Sequence, residues 1–178
     1  MQTKRHCFLI GFMGCGKSYW GRRLADKLSL PFIDLDDFIV TQTGKNIVDI
    51  FAEGGESGFR AIEKQALHTL SDLAPAIVAT GGGTPCFYDN MEWMNQIGTT
   101  IYLKASPTLL ADRLQHEKEF RPLLATIHDL DLERFIEKKV SERSTYYLQA
   151  NIVMEQSQHH ILYEYWLENA VKEALNLL

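Results

Sequence analysis

"GFMGCGKS", residues Gly11–Ser18, follows a short apolar run, Cys7-Phe8-Leu9-Ile10, and precedes a segment with helical spacing. It fits G-x-x-x-x-G-K-[ST], in which glycines let backbone N–H groups curl round a phosphate, the lysine reaches the outer phosphates and the hydroxyl is offered to Mg²⁺. The motif needs a strand before it and a helix after it. Behind it Trp20, Leu24 and Leu28 recur at four-residue intervals, with Arg22, Arg23, Asp26 and Lys27 between them, as on an amphipathic helix. An ordinary glycine-rich turn would explain the glycines but not Lys17 followed by Ser18. The stretch therefore predicts a strand–loop–helix unit that binds a nucleoside triphosphate.

Outward from it, apolar runs recur: "CFLIG" at 7–11, "PFIDL" at 31–35, "AIVATGGG" at 76–83, "TTIYLKA" at 99–105 and "ANIVME" at 150–155. Each is bounded by Gly, Pro, Asp or polar residues and reads as a buried strand. Helical patterns lie between them. In "ESGFRAIEKQALHTLSDL", Phe59, Ile62, Ala66, Leu70 and Leu73 recur at three- or four-residue steps, and further patterns cover about 88–97, 107–116, 130–148 and 158–177. Strand then helix, repeated along the chain, predicts an α/β fold with a parallel sheet covered on both faces. Ligands of such sheets bind beyond the carboxyl ends of the strands.

The residues just after each strand are thus the candidates. After the second strand, Asp34 and Asp36 alternate along the expected strand end, so their carboxylates can point to related positions while Leu35 faces away. Acids beside a phosphate loop can hold Mg²⁺ or accept a proton from an attacking hydroxyl. Asp36 and Asp37 could instead cap the helix beginning "DFIVTQTG". After the third strand, Gly81, Gly82 and Gly83 predict backbone that takes unusual dihedrals or touches a ligand closely. Arg60 and Glu63, three apart on a helix, can pair so that the carboxylate orients the guanidinium. Arg143 shares a helical face with Leu132, Ile136, Val140 and Tyr147, so it either runs out to solvent along its stem or meets a buried anion. In "EKEFRPLL", Arg121 precedes a proline in a polar segment, which reads as a mobile loop able to bring positive charge to a transferring phosphoryl group.

Composition narrows the classes. The 178 residues predict one domain, 46% apolar and 23% charged content describe an ordinary globular chain, and a formal charge of −5 argues against nucleic acid or an anionic membrane as partner. Cys7, Cys15 and Cys86 lack the spacing of a disulfide framework or zinc site, which suits a reducing cytoplasm. Cys15 lies where helix N-terminal amides would favour a thiolate, or simply fills a small loop position. His159 and His160 are neighbours whose side chains point apart, so they read as a solvated helix start rather than metal ligands. No run approaches membrane-spanning length.

Taken together, "GFMGCGKS", "FIDLDD", "IFAEGGESGFRAIE", "TGGG", "RPLL" and "RSTYY" resemble, in this order, the shikimate kinase family of nucleoside-monophosphate-kinase-like phosphate-loop kinases. The resemblance implies a three-layer α/β/α fold with five parallel strands in the order 2-3-1-4-5. It implies transfer of the γ-phosphoryl group of ATP, with Mg²⁺, to the 3-hydroxyl of shikimate, on the way to chorismate and the aromatic amino acids. By it Asp36, Lys17 and Arg121 are catalytic, and Ser18 and Asp34 serve the metal. The nucleotide would be held by Gly11, Met13, Gly14, Cys15 and Gly16, with Lys17, Ser18, Tyr19, Arg113 and Arg121. Shikimate would meet Asp36, Phe51, Phe59, Arg60 and Arg143, with Gly81, Gly82 and Gly83 along its side. The expected organisation is one kinase domain over 1–178, monomeric, with a substrate-binding subregion at about 35–73 and a mobile lid at about 115–126. Two features depart from the family pattern: Gly58 replaces a larger polar residue, and "VMEQSQHH" lacks the basic residue and proline near the adenine, leaving Arg113 as the assigned base contact. The alternatives are a kinase of another polyol acid such as gluconate, or a non-catalytic nucleotide-binding regulatory module.

Overall fold

The apolar run ahead of the phosphate loop forms β1 (His6–Ile10), buried along its whole length. The computed structural model describes residues 6–116, 124, 127–156 and 160–177. Four further strands follow: β2 (Phe32–Asp34), β3 (Ile77–Ala79), β4 (Gly98–Lys104) and β5 (Ile152–Glu155). All pairings are parallel. Cys7 stands opposite Ile77 and Thr99, Phe32 opposite Ile77, and Ile101 opposite Ile152. The order is β2-β3-β1-β4-β5, as the resemblance implied.

Helices α1 (Lys17–Leu28), α2 (Leu35–Thr43), α3 (Ile47–Thr69), α4 (Asn90–Ile97), α5 (Pro107–Leu114), α6 (Asp129–Tyr147) and α7 (His160–Ala174) cover the sheet. Alternation along β1 sends its side chains to opposite faces. Cys7 and Leu9 join Trp20, Leu24, Leu114 and Leu167 on one side, whereas Phe8 and Ile10 join Leu35, Ile39, Leu67 and Met94 on the other. The two cores make the sheet the middle of three layers, and the strands' carboxyl ends open onto the phosphate loop.

The predicted strand end at 31–35 stops one residue early. Asp34 is the last residue of β2 and the N-cap of α2, its carboxylate accepting from the Asp36 N–H at 3.1 Å. Asp36 therefore stands in the first turn of a helix rather than on a strand, and neither it nor Asp37 supplies the cap. The physical reason is local: a helix start leaves orphan N–H groups, and Asp34 is the acid placed to take one. A second difference falls in α3, which is interrupted at Gly55 with φ 62° and ψ −168°. Only glycine tolerates that region without strain. The sequence periodicity detected the part beyond this break but not the turns before it.

Gly21 sets how closely α1 lies against β2. A Cβ there would come within 2.5 Å of the Phe32 ring. Gly21→Ala is accordingly expected to cost about 1–3 kcal/mol of overpacking, offset by about 1 kcal/mol of helix propensity. A thermal melt should show Tm lower by about 2–4 °C.

Candidate active site

The phosphate loop is built from backbone that only glycine holds comfortably: Gly11, Gly14 and Gly16 take φ of 142°, 79° and 88°. The turn closes with Cys15 N–H donating to the Phe12 carbonyl at 3.2 Å, and Trp20 N–H reaches back to Gly16 at 2.9 Å as α1 begins. Lys17, only 8% exposed, donates to the Gly11 and Phe12 carbonyls at 2.8 and 3.0 Å. Cys15 is fully buried with Lys17 Nζ at 3.6 Å from its Sγ, so it fills space in the loop. Met13 and Gly14 line the cleft above it; Tyr19 is exposed, its ring edge-on to Trp20.

At the end of the loop, in the first turn of α1, Ser18 Oγ donates to Asp34 Oδ2 at 2.6 Å. With Asp36, Gly81 and Gly82 they line one cleft of about 290 Å³. Burial, reinforced by the negative charges of Asp34 and Glu63 against Lys17 and Arg60, pushes the Asp36 carboxyl up to about 6. The Ser18 hydroxyl and Asp34 carboxylate are hard oxygen donors, adjacent and facing the cleft. Among the described residues no cluster of three or more His, Cys, Asp or Glu forms a protein-only cage. One carboxylate and one hydroxyl, completed by phosphate oxygens and water, is the donor set Mg²⁺ takes in nucleotide sites.

Arg60 is buried and held on several sides. Its guanidinium lies 4.1 Å from the Phe87 ring centroid and 5.1 Å from that of Phe59. Nη1 donates to Glu63 at 2.8 Å and Nη2 to Glu56 at 3.3 Å. Glu63 is fully buried and also accepts from Thr84 Oγ1 at 2.6 Å. The i,i+3 pairing expected from sequence is therefore an orienting one. Phe51 stacks on Phe59 with centroids 4.5 Å apart, exposing its other face.

The three glycines after β3 have φ values open to any residue, so unusual dihedrals are not their reason. Close approach is. A Cβ on Gly83 would lie 2.4 Å from Arg60 Nη2, one on Gly82 3.2 Å from the Met13 N–H nitrogen and one on Gly81 3.0 Å from Thr84 Oγ1 and 3.1 Å from Glu63 Oε1, with Arg143 Nη1 and Asp36 Oδ1 at ordinary contact, 3.7 and 3.6 Å. Arg143 is half-buried, its guanidinium 5.4 Å from the Phe12 ring centroid and its Nη1 3.4 Å from the Gly82 carbonyl. It remains at the cleft instead of running out to bulk solvent.

Arg113 turns toward the phosphate loop: Nη1 donates to the Gly14 carbonyl at 3.0 Å and to Gln156 Oε1 at 2.9 Å. Gln156 in turn donates to the Cys15 carbonyl at 2.7 Å. Arg121, with most of the expected lid at 115–126, lies outside the described residues, as does His159. Sequence reasoning missed Phe87, Gln156 and the hydroxyl of Tyr147, which donates to the Gly82 carbonyl at 2.6 Å. Phe87 and Gln156 sit just outside regular elements, where no periodicity marks them; Tyr147 was visible only as a core position.

A parallel sheet with a phosphate loop after its central strand, and an acid and two arginines gathered round a bare-backbone turn beside it, define a phosphate-loop kinase. The shikimate kinase family pattern matches residues 13–177, and the chain belongs to that family. A shikimate kinase of Bacteroides thetaiotaomicron is 40% identical over 172 residues, covering 96% of this chain and 97% of the relative. One of Phocaeicola vulgatus is 46% identical over 143 residues, 80% and 82% of the two chains. The crystal structure of shikimate kinase from Bacteroides thetaiotaomicron superposes with a TM-score of 0.86 at 37% identity, covering 97% of this chain and 98% of that one. Shikimate kinase from Acinetobacter baumannii in complex with shikimate gives a TM-score of 0.83 at 31% identity, covering 98% and 97%.

Proposed function

We propose that this chain, acting as a cytoplasmic monomer, transfers the γ-phosphoryl group of ATP to the 3-hydroxyl of shikimate. The observation that carries this reading is the convergence of Asp36, Arg143 and Arg60 on one glycine turn, their polar atoms 3.6, 3.7 and 2.4 Å from where Cβ atoms of Gly81, Gly82 and Gly83 would stand. An acceptor with a carboxylate at one end and hydroxyls along its body meets the arginines with the first and the acid with the second. Family membership and the shikimate-bound relative support the same substrate.

In this mechanism Lys17 moves its ammonium from the Gly11 and Phe12 carbonyls onto the β- and γ-phosphates. Ser18 and Asp34 would hold Mg²⁺, which when bound would supply positive charge beside the phosphate oxygens. Arg60, fixed by Glu63 and the two rings, and Arg143 hold the shikimate carboxylate. This places the 3-hydroxyl against Asp36. Asp36 accepts the hydroxyl proton as the new O–P bond forms and the bond to the β-phosphate oxygen breaks, releasing ADP. Arg113 and Gln156 keep the loop carbonyls in place near the nucleotide.

ADP release coupled to shikimate tests the reading; preference for gluconate, or no release with either acid, would replace it. Arg60→Ala and Arg143→Ala are each expected to weaken shikimate binding by about 2–5 kcal/mol, as when one partner of a desolvated charge pair is lost. ATP binding, measured by titration calorimetry, should barely change. Equal weakening of both ligands would assign the arginines to the fold.

A further inference from the structure

We propose that Tyr147 is a positioning residue for the acceptor: its hydroxyl takes the short bond to the Gly82 carbonyl, so that the Arg143 guanidinium keeps only a long contact there and presents its other donors to the substrate carboxylate. This rests on the shikimate reading above. Tyr147 and Arg143 stand four residues apart on α6, hence on one face of the helix, and both address the same carbonyl. The two contacts differ in quality. Tyr147 Oη donates at 2.6 Å, while Arg143 Nη1 lies at 3.4 Å, at the outer limit of a hydrogen bond.

An exposed carbonyl beside a guanidinium would ordinarily draw it in, since charge-assisted hydrogen bonds are the stronger kind. Here the neutral donor holds the short position. Tyr147 is fully buried and its ring packs against Tyr102 with centroids 5.0 Å apart, so the hydroxyl has little freedom to leave. Burial pushes its phenol well above the usual range, which keeps it a donor at any working pH. Loss of the hydroxyl leaves the Gly82 carbonyl to Arg143, which spends on the backbone a donor meant for the substrate.

The test removes one oxygen atom. Tyr147→Phe is compared with the wild type and with Tyr163→Phe, the same deletion at a buried tyrosine of α7 whose hydroxyl has no hydrogen-bond partner among the described residues. Kd for shikimate by calorimetry, KM for shikimate and for ATP, kcat and Tm are measured for each. Tyr147→Phe should raise Kd and KM for shikimate by about 5–20-fold, in the range of one hydrogen bond to a functional group, with KM for ATP within about twofold. Tyr163→Phe should leave both Michaelis constants unchanged. In an Arg143→Ala background the Tyr147→Phe effect should largely vanish, because the two act through one group.

An unchanged shikimate Kd in folded Tyr147→Phe overturns the inference, and so does a parallel rise in both Michaelis constants with a large loss of Tm. An undiminished effect in the Arg143→Ala background overturns the route through Arg143. If the wild type itself neither binds nor phosphorylates shikimate, the functional reading falls together with the role of Tyr147. If the wild type does both and Tyr147→Phe matches it, only the role of Tyr147 falls.

Discussion

Lys17→Met is expected to lower kcat/KM by about 10³-fold or more, with the fold retained. Loss of even one preorganised donor to a transferring group costs about 10²–10³, and here a full positive charge is removed from beside the β- and γ-phosphates. Methionine keeps an unbranched apolar stem in the channel that Lys17 fills at 8% exposure. What the fold loses is the donor to the Gly11 and Phe12 carbonyls, which lie in the loop rather than in either core. Far-ultraviolet circular dichroism should therefore match the wild type while ADP release nearly disappears. Near-normal kcat would mean that the loop does not carry the chemistry.

Asp36→Asn is the second large effect, a kcat loss of about 10²–10⁴, since the amide nearly preserves shape and cannot take a proton. A loss below tenfold would reduce Asp36 to a positioning role. The same substitution carries a stability signature of opposite sign. The Asp36 carboxyl is raised from 3.8 to about 6 in the folded chain, so between those values the folded state holds more protons than the unfolded one. Its contribution is then most favourable below about pH 4, declines as pH rises toward 6, and stays at its least favourable above. Asparagine has no such titration. Denaturant unfolding in EDTA should find Asp36→Asn more stable by about 1–3 kcal/mol at pH 7 and the difference shrinking toward pH 4.

All five strands could be read from the chain because each is a short apolar run ended by a breaker, a trace that suits the buried strands β1, β3 and β4, whereas β2 and β5 stand at the sheet edges and are only partly buried, against the expectation of a buried strand. Their order left no such trace. Nothing local in "HCFLI" says that it pairs with residues 77–79 and 98–102; the order came with the family resemblance. At the site, the Arg60–Glu63 pair was legible because helical spacing brings three-apart residues together. Phe87 was not, since it reaches Arg60 across a turn that sequence spacing does not determine. Asp34 and Asp36 do line one cleft, but the strand-to-helix switch between them depends on one side-chain cap that competes with continued extension. The Gly81–Gly83 turn announced a close approach without revealing that Arg60 itself fills the space beneath Gly83.

The central place of β1 governs how the protein can be made. A ribosome releases His6–Ile10 first, yet the strands that flank it arrive only with Ile77–Ala79 and Gly98–Lys104. At about 5–20 residues per second this fully buried strand waits on the order of 5–20 s for both neighbours. During that interval the nascent chain exposes a β-prone segment with two open edges, the kind that seeds association between unfinished chains. Synthesis that stalls before Lys104 leaves β1 half-paired and the phosphate loop without the wall against which it closes. Folding is thus a late event on the ribosome, and chaperone demand should be greatest while β4 is still in the exit tunnel.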